Sequence, residues 1–475
     1  MMRTREAASA IGLAVSLSLS LIATSAGAEN RRSIETELIS LIESQSRGGG
    51  LADFVLPDSD DFASIPQDPL NPLSAEKVAL GRLLFHETAV GTATPAVDRR
   101  ETYGCASCHH AGAGFKSGIP QGIADGGSGF GRRGELRRLA RGMDVGAADG
   151  DPAKPDVQPV ATPTALNVAY QDVMLWNGAL GGRVGGVNDG IVKHPDFGPP
   201  GAMVNRFGLS GVETQVLAGT RVHRLSFDAD SIVHTDATYR RLYEAAFPDG
   251  DTGFVPAGST VTPEALGAAK AIAAFERTLL ANRAPFQRWL RGERRAMTVQ
   301  QLRGARLFFG KAGCVGCHTG PALSTWPDAD AERLFFAVGF SDLNPRDRRV
   351  HGTVPDADSR GRGGLTDDPG DDYAFKVPQL YNLRDSRALG HGASFTKVRD
   401  VVLYKNAGRA QNGHGTNLAA GFVPLGLNGR EIGDLTIFVR EALRDRSLSR
   451  YRPDELPSGN CLPVADFKSA LHLRC

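Results

Sequence analysis

The chain of 475 residues carries 54 Lys and Arg against 53 Asp and Glu, and 41% of its residues are hydrophobic. A net charge this close to zero excludes the basic field that attracts nucleic acid, and the hydrophobic fraction is ordinary for a globular protein. The length suits two or three domains. Because the sequence holds 57 Gly and 27 Pro, we expect much irregular backbone between the regular elements.

The first 28 residues have the organisation of a secretory signal peptide. Two arginines precede an apolar run over 10–23, and an Ala-Gly-Ala triplet at 26–28 offers a cleavage site. We therefore expect 1–28 to be removed and the protein to be periplasmic. The apolar run is shorter than the ~20 residues of a spanning helix. Since no later stretch is both that long and uncharged, we predict no membrane span after cleavage.

Two Cys-x-x-Cys-His motifs stand far apart in the chain, at 105–109 and 314–318. Two thiols three positions apart can bond to the two vinyl groups of one porphyrin, which places the adjacent histidine to bind the iron. A zinc site would need both cysteine pairs to converge on one metal, and a thioredoxin-like dithiol needs no histidine after each pair. The sequence therefore predicts two covalently bound haem c groups. Their attachment residues are Cys105, Cys108 and His109, and Cys314, Cys317 and His318.

Similar helical stretches lead into the two motifs, at 80–85 and 304–309. This duplication predicts a mainly α fold built from two tandem cytochrome c-like haem domains with long irregular loops. We place the N-terminal haem domain at 29–260, the C-terminal haem domain at 261–455 and a tail at 456–475.

Individual residues and short segments add detail to this domain organisation. Ser74 and Thr262 are hydroxyl caps that mark helix starts, and apolar residues continue at helical spacing over 265–280. Cys461 and Cys475 are left over from the haem motifs, and in an oxidising compartment they could form a disulfide worth at most roughly 3 kcal/mol. Long loops are expected at three stretches rich in glycine or polar residues: 118–134, 184–200 and 342–372.

Several segments together resemble bacterial di-haem cytochrome c peroxidases over nearly the whole chain after the leader. The family includes peroxidases that reduce hydrogen peroxide with electrons from small cytochromes. It also includes MauG-like enzymes, which use peroxide to oxidise tryptophan residues of a partner protein. The segments that carry the resemblance are 72–74, 80–85, 162–167 and Trp176 around the first motif, and 271–279, 314–321 and 375–378 around the second.

The resemblance implies reaction of one haem with hydrogen peroxide, and the loop after the first motif indicates the manner. The peroxidases resembled often carry a histidine there that caps the iron, but 118–127 contains none, and His110 is expected to be structural. We therefore favour MauG-like oxidation of a partner protein through high-valent haem. The alternatives are a cytochrome c peroxidase fed by a small cytochrome or cupredoxin, and a di-haem electron carrier without peroxide chemistry.

Peroxide cleavage also needs a distal acid or base. In the family a glutamine begins a helix and a catalytic glutamate follows ten residues later; Gln215 fits the first position, but Leu225 occupies the second. His223 and Glu213 remain as alternatives for the proton transfer. We favour His223 because an imidazole titrates near neutral pH.

Trp176 matches the family tryptophan that relays electrons between the haems, although Asn177 and Ala179 depart from the family motif. We favour this relay, and Trp176 can at the same time be an aromatic residue of the domain interface.

At the second haem, the expected sixth ligand of the iron differs more from the family pattern. Its iron is closed by a methionine in the peroxidases and by a tyrosine in MauG, yet no methionine follows Met297. Fourteen positions after His391 stands Lys405, with Tyr404 beside it. Consecutive helical residues point about 100° apart, so only one of the two can reach the iron, and both remain candidates.

The resemblance also implies calcium between the domains, held by an Asn side chain and two backbone carbonyls. The Asn position is here Ala161, and Ser386 and Ala388 occupy the carbonyl positions. Because calcium needs six or more oxygen ligands and this set has lost one, calcium is possible but weakened.

Overall fold

The computed structural model describes residues 31–145, 153–182, 188, 205–411 and 417–475. The fold is mainly helical, as the sequence predicts. The expected signal peptide at 1–28 and most of the loop predicted at 184–200 lie outside the described residues. No helix of the described ranges is long and apolar enough to cross a membrane.

The described helices vary from single turns to fifteen residues. They are α1 (31–44), α2 (Ala75–His86), α3 (Gly211–Val222), α4 (Ile232–Thr235), α5 (Ala237–Ala246), α6 (Pro263–Arg277), α7 (Pro285–Leu290), α8 (Val299–Phe309), α9 (Ala331–Leu334), α10 (Asp356–Ser359), α11 (Gly363–Thr366), α12 (Val398–Ala407), α13 (Gly429–Ile437) and α14 (Phe467–Leu473). A π-helical turn at Phe438–Ala442 follows α13 directly.

Strands are short and form three two-stranded antiparallel pairs in the described residues. The pairs are β1 (Gly127–Ser128) with β2 (Arg138–Leu139), β3 (Val173–Met174) with β4 (Leu180–Gly181), and β5 (Phe335–Ala337) with β6 (Ala374–Lys376). In the last pair Phe336 lies opposite Phe375. These strand pairs connect loops, and the helices form most of the core.

The predicted helix starts are confirmed by their caps. The Ser74 hydroxyl accepts a hydrogen bond from Lys77 N at 3.2 Å, and the Thr262 hydroxyl accepts one from Ala265 N at 3.1 Å. Helix α6 ends at Arg277, three residues before the end of the apolar pattern, because the backbone turns there to bury Leu279 and Leu280 in the core.

The same packing arrangement occurs twice, once beside each haem motif. Gly81 of α2 lies so close to α6 that a Cβ would overlap the carbonyl oxygen of Ala271. Gly304 of α8 meets the carbonyl of Asp434 in α13 in the same way. The two glycines lie in the two similar stretches, one position apart when Arg82 is aligned with Arg306. Each motif therefore follows a helix that crosses its neighbour in backbone contact. This repetition is what a duplicated haem-binding unit would produce.

The tail folds back onto the region after the first motif. Cys461 and Cys475 form the expected disulfide, with their Cα atoms 5.7 Å apart. Asp466 caps α14 and also accepts a hydrogen bond from Gly129 N at 3.0 Å. His472 accepts one from Phe130 N at 3.1 Å. The disulfide therefore closes a tail that already docks on the loop carrying β1.

Candidate active site

Each haem motif begins as a 3-10 turn and ends with an oriented histidine. In the first, the turn spans Cys105–Ser107 and His109 Nδ1 lies 3.2 Å from the carbonyl oxygen of Phe115. A carbonyl can only accept, so Nδ1 carries the proton and Nε2 keeps the lone pair that an iron needs. Burial lowers the pKa of His109 to about 4, which keeps the ring neutral.

The second motif repeats this arrangement. Its turn spans Cys314–Gly316, and His318 Nδ1 lies 3.0 Å from the carbonyl oxygen of Leu323. Burial lowers the pKa of His318 to about 4. Two histidines that follow paired thiols and present a neutral Nε2 are what axial haem ligation requires.

The chain packs closely against the first motif and leaves a cavity beside the second. At the first, a Cβ on Gly122 would lie 2.9 Å from Cys108 Sγ, so the loop after the motif approaches the thiol closely only because it carries glycine there. At the second, a cavity of about 320 Å³ opens beside Cys314, Cys317 and His318. Its wall is largely apolar, as a porphyrin face requires, and includes Phe308, Phe336, Phe340, Phe375 and Phe422. The residues present therefore fit a haem.

The two sixth-ligand candidates of the second haem occupy different surroundings on α12. Lys405 lines the cavity with His318, and burial lowers the pKa of its amine to about 8. The Tyr404 hydroxyl donates a hydrogen bond to the carbonyl of Val338, and burial raises the pKa of Tyr404 to about 12.

Helix α3 brings Gln215 and His223 onto one face. A Cβ on Gly219, midway between them, would lie 3.5 Å from Gln215 Nε2 and 3.8 Å from His223 Cδ2. Gln215 and Gly219 are less buried than the residues beside them on α3, and His223 at its end is half-buried. After burial, which is the larger cause, the charge of His223 also acts to lower the pKa of His109.

A carboxylate orients His223. Asp156 Oδ2 lies 2.7 Å from His223 Nδ1, and this pair fixes the tautomer that leaves Nε2 unprotonated when the ring is neutral. Burial acts to lower the pKa of His223, but the Asp156 charge and hydrogen bond outweigh it and raise the pKa above its ordinary value. Asp156 is itself fixed by backbone hydrogen bonds to the loop after the first motif, through Ala124 N at 3.1 Å and Asp125 O at 2.9 Å.

Glu213, the other acid/base candidate, is committed to a buried ion pair. Its Oε1 accepts from Arg277 Nε at 2.9 Å and its Oε2 from Arg277 Nη2 at 2.5 Å. Asn71 Nδ2 donates a further hydrogen bond at 3.1 Å. A carboxylate held by three donors is a poor proton carrier, so the geometry favours His223. Leu225, at the family position of the glutamate, is part of the core.

Trp176 lies where segments from the two halves of the chain meet. Its Nε1 donates to the carbonyl of Ala161 at 2.6 Å, and its ring centroid is 6.3 Å from that of His391. His391 in turn stacks on Phe375 at 3.6 Å and lies 3.1 Å from Asp342 Oδ1. Trp176 also lines the cavity at the second motif.

The residues at the expected calcium position do not fit calcium. Ala161 offers no side-chain oxygen, and the carbonyl oxygen of Ala388 accepts a hydrogen bond from Lys116 Nζ at 2.7 Å. Burial lowers the pKa of Lys116 to about 8, so its amine is still an ammonium at neutral pH. Within the described part of the chain, no three His, Cys, Asp or Glu side chains converge on one point. A lysine cation therefore contacts the carbonyl that the resemblance assigned to calcium.

Sequence reasoning missed three residues of this region. Neither Asp156 nor Lys116 belongs to a sequence motif, and their partners become apparent only in the folded structure. Glu276 was used solely as part of the resemblance, yet it is buried near Cys105, where burial and then Glu213 raise its pKa to about 8.

His110 packs edge-on against Phe130 at 4.7 Å, as a structural residue would.

Comparison with known proteins finds similarity to one family. Residues 75–295 match the model of a protein family described as di-haem cytochrome c peroxidase. Over this range, slightly under half of the chain, the protein is similar to di-haem cytochrome c peroxidases. It is an oxidoreductase, and this similarity implies two haem c cofactors and peroxide as substrate.

The named relatives include both MauG proteins and cytochrome c peroxidases. The methylamine utilization protein MauG of Methylorubrum extorquens is 26% identical over 380 residues, which are 79% of this chain and 80% of that protein. The cytochrome-c peroxidase IdrP1 of Denitromonas iodatirespirans is 27% identical over 455 residues, which are 91% of this chain and 98% of that protein. Identities this similar do not choose between the two activities.

A solved structure supports the fold. The crystal structure of a MauG-like protein associated with microbial copper homeostasis superposes with a TM-score of 0.51 at 23% identity, covering 84% of this chain and 98% of that one. This likeness concerns the fold alone. The comparisons thus show similarity to the di-haem peroxidases, and the choice of reaction rests on the chemistry of this chain.

Proposed function

We propose that this protein is a periplasmic di-haem c-type oxidoreductase that reacts with hydrogen peroxide and oxidises a partner protein in the MauG manner. The observation that carries the proposal is the His223–Asp156 pair, which lies with Gln215 on one face of α3 and is joined through Asp156 to the loop after the first haem motif. A second support is the sequence of the loop at 118–127, which offers no histidine to cap the first iron.

The proposed work of His223 is proton transfer. Heterolysis of a peroxide O–O bond requires that a proton move from the inner to the outer oxygen, so one group must first accept and then donate it. His223 Nε2 is available for this because Nδ1 is held by Asp156 at 2.7 Å. The carboxylate also stabilises the imidazolium during the transfer. Gln215 is the amide donor on the same face and would hold the peroxide in place.

The haems would be held by the two motifs and would supply the electrons that peroxide cleavage takes up. Trp176 is proposed to carry oxidising equivalents between them, because its indole borders the second haem cavity and its ring lies 6.3 Å from that of His391 in the other half of the chain. The Ala161 carbonyl at 2.6 Å accepts the indole proton and fixes the ring orientation. A periplasmic location agrees with the predicted signal peptide and with attachment of haem c.

The runner-up is a cytochrome c peroxidase, and the two differ in what activates the protein. Peroxide consumption should be compared for the fully oxidised protein and for protein in which one haem has been reduced beforehand, with a reduced small cytochrome c as donor. Equal rates of the first peroxide turnover in both states support the MauG manner. Consumption only after reduction, followed by steady oxidation of the cytochrome, would establish the peroxidase instead.

A further inference from the structure

The second haem cavity is bordered by α12, which carries two adjacent candidates for its distal side. We infer that Lys405 Nζ, and not Tyr404, is the axial ligand opposite His318 in the holoprotein. This inference rests on the proposed di-haem function and deepens it by naming the group that closes the second iron. It departs from both ligands that the resemblance implies, since neither a methionine nor a tyrosine would serve.

Tyr404 is occupied elsewhere. Its hydroxyl donates a hydrogen bond to the carbonyl of Val338. Its ring packs against Phe340 at 5.0 Å, and against Phe395 and Phe422 at 5.3 Å each, so the side chain is buried among aromatics on several sides. Reaching the iron would require loss of the hydrogen bond and of this packing. Tyr404 does not line the cavity.

Lys405 lines the cavity that contains the second motif. Its Nζ lies 5.3 Å from the ring centroid of Phe340 and 5.0 Å from that of Phe422, which form part of the cavity wall. Cys314, Cys317 and His318 line the same cavity as Lys405, so the amine and the second motif border one space. In the described part of the chain Lys405 has no carboxylate partner.

These contacts suit an amine ligand better than a free cation. An ammonium that is buried without an anion is costly, and faces of aromatic rings compensate only in part. Coordination removes that cost, because the amine gives one proton to solvent and its lone pair binds the iron. No electron is transferred in this step. A neutral amine also leaves the charge of the iron unchanged, whereas a tyrosinate would lower its reduction potential.

The test is spectroscopy of the resting oxidised holoprotein, without peroxide. Electron paramagnetic resonance and near-infrared magnetic circular dichroism should be recorded for wild type, Lys405→Ala and Tyr404→Phe, with Lys397→Ala as the matched control on an exposed position. We expect Lys405→Ala to abolish one low-spin signal of the histidine–amine type, and the other two variants to retain it. Loss in Tyr404→Phe alone, or retention in Lys405→Ala, would overturn the inference.

Two further measurements separate ligation from a merely structural role. Added methylamine should restore the low-spin signal of Lys405→Ala, because a small primary amine can enter the vacated space; failure to restore it would contradict ligation. If the alanine variant does not fold, Lys405→Met supplies the test, and we expect it to replace the amine-type signal with a thioether-type one. An unchanged amine-type signal in Lys405→Met would refute the assignment. None of these outcomes depends on the peroxide reaction, so they can fail while the proposed function stands.

Discussion

The Nδ1 atom of His223 lies 2.7 Å from Oδ2 of Asp156, which joins the end of α3 to the segment that pairs with the loop after the first haem motif. The pair gives the imidazole one orientation and one tautomer. It also links the proton-transfer group to the same loop that lies against Cys108 through Gly122. Position and chemistry of His223 are therefore set by the first haem-binding unit.

Replacing His223 should slow the peroxide reaction without loss of haem. We expect His223→Ala to lower the rate constant for peroxide consumption by about 10²–10⁴-fold, the usual contribution of general acid–base catalysis. Stopped-flow absorbance measures the rate, and a pyridine haemochrome assay confirms that both haems remain. Lys397→Ala, which changes an exposed residue, is the control. A rate within a factor of two of wild type for His223→Ala would remove His223 from the mechanism.

Asp156 should set the pH at which this reaction begins. Because Asp156 raises the pKa of His223, the neutral, base-competent ring forms only at a higher pH than for an isolated histidine. In Asp156→Asn that raising effect is lost, so the acid limb of the pH–rate profile should move to lower pH while the plateau falls through lost orientation. A limb that stays in place, or moves upward, would show that another group is titrating.

Glu213 should matter for stability and not for proton transfer. Glu213→Gln leaves Arg277 as a buried charge without its partner, so we expect the free energy of unfolding to fall by about 3–5 kcal/mol. Chemical denaturation measures this loss. Glu293→Gln, which breaks an exposed pair with Arg288, should leave the stability almost unchanged. A folded Glu213→Gln protein with wild-type stability and a hundredfold slower peroxide reaction would reverse the roles of Glu213 and His223.

Lys116 should make the protein indifferent to calcium. Since its ammonium contacts the Ala388 carbonyl, we expect neither added Ca²⁺ nor a chelator to alter the Tm or the spectrum of the holoprotein. Lys116→Met leaves that carbonyl without this donor and should lower the Tm by several degrees, whereas Lys397→Met on the surface should not. Tight binding of calcium by the wild type, measured by isothermal titration calorimetry, would contradict this account.

Much of the fold follows from local signals in the sequence. Ser74 and Thr262 act as the predicted helix caps because a hydroxyl before an apolar period has a local mechanism that needs no tertiary partner. Gly81 and Gly304 lie in the two similar stretches, but the reason for each glycine is a backbone contact between helices that are distant in the chain. Such contacts appear only in the folded structure.

Residues of the site could be predicted from the sequence where their function depends on spacing along the chain. The haem attachment residues are adjacent in the chain, so the motifs fix them. Asp156 stands 67 residues from His223, and nothing in either sequence neighbourhood pairs them. The choice between Tyr404 and Lys405 was likewise open, because a helical count cannot show which neighbour is occupied by Val338 and which faces a cavity.

One measurement tests the central claim, that an open first haem with its own acid/base reacts with peroxide before any electron donor is supplied. Stoichiometric hydrogen peroxide is added to the purified, fully oxidised protein, and the visible and near-infrared spectra are followed. We predict a rapid spectral change that persists without a donor and is lost in His223→Ala. No change until one haem has been reduced would contradict the account and would show that an unidentified ligand blocks the first iron.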